Sequence, residues 1–198
     1  MADKKTTDTI IKQPNIGTSN TRKDDSKFNP YRTKIVWEDD CIRIYADSTI
    51  DASKIDYALT KFEPYIYFED FPVDTIYKGT KAPIDYKGNP TASLYRTVIT
   101  YGYKRDSLNF AGHYCLVGWM CGAPCQDGVI IDLINGKVYN IPNASQGYVY
   151  KKDSRMLIVN PPDSTGYAMH PLVRPEIWIW DEITKKFLEK KKKKFNKA

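Results

Sequence analysis

The stretch that most constrains this chain is DGVIIDLINGKVYNIP, residues 127–142, which has the pattern of a β-hairpin. An apolar run leads into Asn135 and Gly136, and an alternating segment with Val138 and Ile141 follows. Asn-Gly is the residue pair that tolerates two successive positive φ angles, so the pattern predicts a type I′ turn between two strands. We therefore expect a fold built mainly of β-strands.

Other segments are rich in β-branched and aromatic residues, and short polar or proline-containing breaks separate them. Residues 34–39 and 41–47 are predicted to form a hairpin around a tight polar corner. Further strands are predicted at QGYVYKK (146–152), RMLIVN (155–160) and EIWIWDE (176–182), the last turning through residues 182–185 toward KKFLEK. The predicted fold class is mainly β, with α+β as the alternative: a single antiparallel β-sheet domain with one or two short helices, tied by disulfides.

Two segments are candidates for the helices. NPTASLYRTVITYGYKRD, residues 89–106, begins with a proline beside a possible Thr91 cap, and Leu94, Val98 and Tyr101 recur at helical spacing. Many of its residues also favour strands, but the one helix allowed in the domain is placed here. A shorter helix is predicted near residues 51–62, where three apolar side chains would share a face: Ile55, Leu59 and Phe62.

The formal charge of +6 is concentrated at the two ends of the chain. Residues 1–28 carry six basic and four acidic side chains, and residues 182–198 carry eight lysines and two glutamates. The part between them has 16 basic and 18 acidic side chains. A basic face on the folded part is therefore not indicated, and nucleic acid is not an expected partner.

The length of 198 residues suits one domain with a proper core. The polar stretch 1–28 is predicted to be a disordered leader or linker, residues 29–189 a single β-rich domain, and residues 190–198 a solvated lysine-rich tail. No apolar run approaches the ~20 residues that span a bilayer, and no export signal is visible. A polar leader of this kind is also what an exported lipoprotein retains once its signal is trimmed.

Three of the four cysteines fall within NFAGHYCLVGWMCGAPCQDG, residues 109–128. An extended strand through this region would hold Cys115 and Cys121 ~20 Å apart, which is too far for a disulfide. The Gly-Ala-Pro insert favours closure of Cys121 with Cys125, which leaves Cys41 to pair with Cys115. The alternative is Cys115 with Cys125 and Cys41 with Cys121.

Other cysteine chemistry is less well supported by the pattern. Dithiol redox sites of the thioredoxin kind have two intervening residues and a helix after them, whereas a strand is predicted here. Structural zinc needs four ligands, and His113, Cys121 and Cys125 would supply three. We therefore predict no metal and no cofactor.

The main enzymatic alternative is a thiol-dependent hydrolase or transferase. Such an enzyme needs a thiolate, a histidine base and a third group that orients the histidine. The residue types are present within a short stretch: His113, Cys121, Cys125, Asp127 and Asp132. A lone histidine beside aromatic residues is more often structural, so catalysis is the second hypothesis rather than the first.

The chain resembles a largely uncharacterised family of exported bacterial proteins over about residues 71–162. The family signature is an Asn-Phe-Ala-Gly-His-Tyr run, a Trp-x-Cys-Gly-x-x-Cys turn and an Asp-x-x-x-Gly-x-Val-Tyr hairpin. The matching residues are Asn109, Phe110, Ala111, Gly112, His113, Tyr114, Trp119, Cys121, Gly122, Cys125, Asp132, Gly136, Val138 and Tyr139. Members usually carry export signals or lipoprotein leaders, so the resemblance implies export. It implies no activity.

The cysteines depart from the family pattern. Cys115 stands where an aliphatic residue is expected, and Cys41 lies outside the match, which suggests a second bridge. Two bridges would fit an oxidising compartment such as the periplasm or the cell surface.

The functional expectation is an exported β-rich binding protein, with or without a lipid anchor. Its expected partner is a protein, peptide or glycan of the cell envelope. The abundant aromatic side chains motivate this, since Tyr and Trp often anchor interfaces. Three residues of the cysteine-rich stretch are candidate binding residues: His113, Tyr114 and Trp119.

Overall fold

The computed structural model describes residues 9–10, 33–47, 55–170 and 172–192. The chain divides into two compact units. The larger unit contains Met1–Ile10, Pro64–Pro161 and Pro175–Ala198, and the smaller unit contains Ile11–Glu63 and Pro162–Arg174.

The structure describes only part of the predicted leader, domain and tail. Apart from residues 9–10, the predicted leader 1–28 lies outside the described residues, and so does the end of the predicted tail, 193–198. The prediction of one domain over residues 29–189 stays a prediction.

The described residues form eleven strands and two α-helices. The strands are β1 (Thr9–Ile10), β2 (Thr33–Glu38), β3 (Ile42–Asp47), β4 (Ile55–Thr60), β5 (Tyr114–Gly122), β6 (Cys125–Asp132), β7 (Val138–Asn140), β8 (Tyr148–Tyr150), β9 (Met156–Val159), β10 (Glu176–Asp181) and β11 (Lys186–Lys190). The helices are α1 (Pro90–Leu94) and α2 (Arg96–Arg105), and a 3-10 helix covers Phe68–Asp70. The strands lie in three antiparallel sheets, which confirms the predicted mainly β class with short helices.

The larger unit is centred on the sheet β5-β6-β7. β5 and β6 pair antiparallel along their length, and successive side chains point to opposite faces. Leu116 and Ile130 on one face pack with the five-stranded sheet β1-β8-β9-β10-β11. Val117 and Ile131 on the other face pack with the helices. Away from its tip, both faces of the hairpin are therefore buried, and the strands predicted here and at 146–152, 155–160 and 176–182 are confirmed.

The prediction of helix over residues 89–106 is confirmed, but the single helix expected there is divided into α1 and α2 and has a different cap. The Asn89 side chain accepts a hydrogen bond from the Ala92 N–H at 3.2 Å, so Asn89, rather than Thr91, is the N-cap of α1. Pro90 occupies the first helical position, where its missing N–H costs nothing. α2 approaches β5 closely at Gly102, where a Cβ would lie 2.4 Å from Cγ1 of Val117.

The turn between β6 and β7 differs from the prediction. The strands pair at Ile131 and Val138, so the connection is longer than two residues. Asn135 has no positive φ, and Gly136 alone of the pair has one, at 77°. The type I′ turn is therefore wrong, although the hairpin is right. The Asp132 carboxylate holds the longer loop by accepting from the Ile134 N–H at 2.9 Å and from the Asn135 side chain at 2.7 Å.

The smaller unit contains the antiparallel sheet β2-β3-β4. Its β2–β3 hairpin confirms the pairing predicted for residues 34–39 and 41–47. The helix predicted over 51–62 is wrong, because β4 is a strand paired with β3, while residues 51–54 lie outside the described residues. Tyr57 stacks on Tyr45 across that pair, with 4.6 Å between ring centroids. A cross-strand contact of this kind stabilises a sheet and has no counterpart in helical spacing.

Candidate functional site

The cysteine-rich stretch contains one disulfide. Cys121 and Cys125 are bonded, with their Cα atoms 5.1 Å apart, at the tip of the β5–β6 hairpin. Cys121 is exposed and Cys125 is half-buried. The predicted Cys121–Cys125 bridge is present, and its position fixes the chain reversal between the two strands.

The predicted bridge between Cys41 and Cys115 is wrong, because both residues are free thiols. Cys41 is exposed beside β2 and β3, whereas Cys115 is fully buried among the apolar side chains that β5 turns toward the helices. Burial raises the pKa of the Cys115 thiol to about 12. A buried neutral thiol of this kind is a small apolar core residue rather than a nucleophile. The alternative pairing, Cys115 with Cys125 and Cys41 with Cys121, is excluded because Cys121 and Cys125 are bonded to each other.

The arrangement proposed for a thiol enzyme is also wrong. His113 precedes β5, and Cys121 lies at the far end of that strand, on the order of 25 Å away at about 3.3 Å per residue. Asp127 pairs opposite Trp119, near the disulfide, whereas Asp132 pairs opposite Tyr114, near the histidine. The histidine and the cysteines thus occupy opposite ends of the hairpin, and the two sulfurs are already bonded to each other.

The Asn-Phe-Ala-Gly-His-Tyr run forms a tight corner that leads into β5. Asn109 donates to the Leu116 carbonyl at 3.0 Å and accepts from the Leu116 N–H at 2.7 Å, so it acts as an extra strand partner. Ala111 and Gly112 both have positive φ angles, 43° and 79°. A Cβ on Gly112 would lie 2.6 Å from the Thr75 carbonyl oxygen, which explains why glycine is needed there. Most of this motif therefore serves the fold.

The last two residues of the motif join a polar network that we call the Glu182 cluster: His113, Tyr114, Glu182 and Lys185. The Tyr114 hydroxyl donates to Glu182 Oε2 at 2.8 Å, and the Lys185 ammonium donates to the same oxygen at 2.7 Å and to the Tyr114 hydroxyl at 3.0 Å. His113 Nε2 lies 4.0 Å from that oxygen. Burial, followed by the bond to Glu182, raises the pKa of Tyr114.

In the Glu182 cluster, every oxygen of the carboxylate already accepts a hydrogen bond. Trp180 Nε1 donates to the other carboxylate oxygen, Oε1, at 2.9 Å, so both oxygens of Glu182 are occupied. Tyr114 is fully buried and its ring meets Trp180 edge-on. These hydrogen bonds connect the corner before β5 to the turn after β10. The cluster therefore has a structural role. His113 is only partly buried and packs on the Tyr114 ring at 4.2 Å between centroids.

A shallow, largely open depression lies on a different surface of the larger unit. An open groove of approximately 460 Å³ runs along the helices, and we call it the helix groove: Leu94, Tyr95, Thr97, Val98 and Tyr101. Leu94 is 76% exposed and Tyr101 is 66% exposed. Exposed apolar side chains that form a continuous patch, unlike scattered ones, are characteristic of interaction sites.

The floor of the helix groove is connected to the disulfide-closed tip. The Tyr95 ring packs on Trp119 of β5, with 4.9 Å between centroids. Trp119 is two residues from Cys121, and its indole N–H is buried with no hydrogen-bond partner among the described residues. Buried polar groups almost always have partners, so this one is unusual.

Of the three predicted binding residues, Trp119 lies beside the helix groove, whereas His113 and Tyr114 lie in the Glu182 cluster. The exposure of Leu94 and Tyr101 was not predicted from the sequence. Their helical spacing was visible, but it did not show whether this side of the helix is buried or exposed. The buried face is formed instead by Ala92, Ile99 and Tyr103.

Glu182 and Lys185 were missed as well, because they are far from the motif in the sequence and reach Tyr114 only through the sheet order. No group of three or more potential metal-ligating side chains occurs among the described residues. The helices described are all too short or too polar to cross a membrane.

Comparison with known proteins found no matching family model, no matching curated protein and no matching solved structure.

Proposed function

We propose that this chain is an exported binding protein of the bacterial cell envelope, periplasmic or surface-exposed, that holds a protein or peptide partner in the helix groove. The observation that carries the proposal is the apolar stripe of Leu94, Val98 and Tyr101 along one side of α1 and α2, in which Leu94 and Tyr101 are exposed and Val98 is half-buried. Helix surfaces with apolar residues at this spacing are used in known modes of peptide recognition.

The packing beneath the groove supports the proposal. Its floor rests on Trp119, which lies in a strand closed at its tip by the Cys121–Cys125 disulfide. A preorganised surface loses less conformational entropy on binding than a mobile one, so the same contacts yield a higher affinity. The disulfide also fits an oxidising compartment, which supports export, with or without a lipid anchor.

The state of the cysteines favours binding over thiol catalysis. Two sulfurs are joined in a bridge, and the buried thiol of Cys115 has a raised pKa. Neither provides the thiolate that the alternative function requires. The Tyr114 hydroxyl of the Glu182 cluster does not replace the missing thiolate as a nucleophile, because Tyr114 is buried and its pKa is raised.

The proposal is tested by selecting phage-displayed random peptides on the immobilised protein and measuring the affinity of the winners. We expect Leu94→Ser and Tyr101→Ser each to weaken binding by about tenfold or more, because an anchor residue would lose its apolar contact. The matched control is Ile183→Ser, which replaces a 93% exposed side chain in the turn after β10 and is expected to leave binding unchanged.

All three substitutions affect exposed side chains, so the fold should survive, and circular dichroism verifies this. Selected peptides that bind Leu94→Ser as well as they bind the unmodified protein would contradict the proposed site. Failure to select any peptide on the folded protein would also contradict it.

A further inference from the structure

The positive charge of this chain is concentrated after β10. Residues 183–198 carry eight lysines and one glutamate, whereas residues 29–181 carry slightly more acidic than basic side chains. Within the basic part, residues 190–197 contain six lysines and no acidic side chain, and we call them the lysine segment. Charge is therefore separated along the chain, with the strongest excess of positive charge in the lysine segment.

The lysine segment begins at a defined place on the larger unit. Its first residue, Lys190, ends β11, which is an outer strand of the five-stranded sheet. The Tyr65 hydroxyl donates a hydrogen bond to the Lys190 carbonyl and so holds the start of the segment in place. Lys190, Lys191 and Lys192 are all exposed. Positive charge is therefore presented to solvent at one edge of the sheet.

The acidic side chain that precedes the segment does not neutralise it. The Glu189 carboxylate lies 3.3 Å from the Lys191 ammonium, and both side chains reach solvent. An exposed pair of this kind contributes little. One carboxylate also cannot offset six lysines, so the lysine segment keeps a strong net positive charge.

Apolar side chains accompany the lysines. Leu188 is 43% exposed, and the alternation of β11 places it on the same side as Lys186 and Lys190. Phe195 follows five consecutive lysines in the sequence. Basic segments with Leu or Phe are typical of proteins that bind the surface of anionic membranes, where the charges face the headgroups and the apolar side chains enter the interface.

We propose that the lysine segment binds the surface of a bilayer that contains anionic phospholipids. The lysines contact the phosphate groups, and Leu188 and Phe195 enter the interfacial layer. This binding is peripheral and depends on charge, so salt weakens it. The inference goes beyond the proposed function, because it concerns a different surface and does not depend on the helix groove.

The apolar side chains favour a membrane over a soluble polyanion. A dissolved polyanion such as heparin would contact the lysines and would gain nothing from Phe195. A bilayer accommodates both kinds of side chain, since lysines extend their charged ends to the headgroups while apolar side chains are buried beneath them.

The test is co-sedimentation of the full chain with vesicles of equal parts phosphatidylglycerol and phosphatidylcholine, beside vesicles of phosphatidylcholine alone. We expect binding to the anionic vesicles only, and a steady loss as salt is raised. The double variant Lys190→Glu with Lys191→Glu should bind about tenfold more weakly or worse, because each lysine near an anionic surface strengthens binding by roughly fivefold.

Two further variants separate position from charge and membrane from polyanion. Lys87→Glu with Lys104→Glu replaces two exposed lysines elsewhere in the larger unit, changes the net charge by the same amount and should retain most of the binding. Phe195→Ser keeps every charge and should weaken vesicle binding about threefold or more, while binding to heparin stays the same. Circular dichroism verifies that all variants are folded.

Four results would overturn the inference. Equal binding to both kinds of vesicle would show that charge is not the cause, and an equal loss in the Lys87 and Lys104 variant would assign the effect to net charge alone. Heparin binding without vesicle binding, or full vesicle binding by Phe195→Ser, would replace the membrane with a soluble polyanion. None of these results depends on peptide binding in the helix groove, so the two proposals succeed or fail separately.

Discussion

The two free cysteines show how strongly the surroundings of a side chain determine its chemistry. Cys41 is exposed, whereas Cys115 is completely buried and its pKa is raised to about 12 by desolvation. We expect an aromatic disulfide reagent at pH 8 to label one thiol in the folded protein, Cys41, and two after denaturation. The Cys41→Ser variant is the control and should show no fast-reacting thiol.

Labelling of neither thiol in the unreduced, denatured protein would mean that Cys41 and Cys115 are bonded after all. Fast labelling of Cys115 in the folded protein would contradict its burial.

Asp181 gives the turn between β10 and β11 a defined dependence on pH. Its carboxylate accepts hydrogen bonds from the backbone N–H groups of Thr184 and Ile183, and the Thr184 bond is the main cause of its lowered pKa. A carboxyl whose pKa is lower in the folded state stabilises the turn while ionised, and this contribution disappears as pH falls through the folded-state value.

The prediction is a titration midpoint for the Asp181 carboxyl carbon below 3.8, its ordinary value, in an NMR pH series. Thr184→Val removes the hydroxyl bond at 3.1 Å but keeps the backbone bond at 2.7 Å, so the midpoint should move only part of the way back. A midpoint at or above 3.8 in the unmodified protein would exclude the capped turn.

At the scale of elements, the contact between α2 and β5 decides which helix face is buried. Gly102→Ala normally stabilises a helix by up to about 1 kcal/mol, because glycine has a high conformational entropy when unfolded. Here the new Cβ would lie 2.4 Å from Cγ1 of Val117, so we expect destabilisation by about 1–3 kcal/mol, as in other overpacked cores.

Urea denaturation measures this, and the double variant Gly102→Ala with Val117→Ala is the informative control. Since it removes the clashing methyls, it should be more stable than the sum of the two single effects predicts. Strict additivity, or a stabilising Gly102→Ala, would show that the helix does not approach the strand so closely.

Elements with a strong local pattern could be predicted from the sequence. The β2–β3 and β6–β7 hairpins follow from apolar residues on either side of a polar corner, and α1 follows from a proline near a cap. β4 was mistaken for a helix because Ile55, Leu59 and Phe62 also fit helical spacing. Its strand conformation depends on pairing with β3, and nothing within 51–62 encodes that partner.

The candidate site could be predicted only in part, for a related reason. The disulfide follows from a short Gly-Ala-Pro insert between Cys121 and Cys125, and Trp119 is close to it in the sequence. The exposure of Leu94 and Tyr101 depends on which face of the helix is turned toward β5. That choice is made by Gly102 and its contact with Val117, which are distant in sequence.

At the scale of the whole molecule, the proposal of export makes a prediction about cells. In the organism that makes the protein, Cys121 and Cys125 should be oxidised to each other, because disulfides persist in the periplasm and at the surface and are rare in the cytosol. Cells are quenched with acid, alkylated before and after reduction, and analysed by mass spectrometry. Cys41 in the same samples serves as the control for alkylation. Recovery of Cys121 and Cys125 as free thiols in cells would argue against export.

The central claim is that the helix groove is the binding site. The most direct measurement is a titration of the isotope-labelled protein with a selected peptide, followed by the amide and indole N–H signals in NMR spectra. The account predicts that the largest shifts fall on residues 94–101 and on the Trp119 indole N–H. The same titration of the Ile183→Ser variant should shift the same signals. Shifts centred on His113 and the rest of the Glu182 cluster, or on Arg43 and its neighbours in the smaller unit, would contradict it.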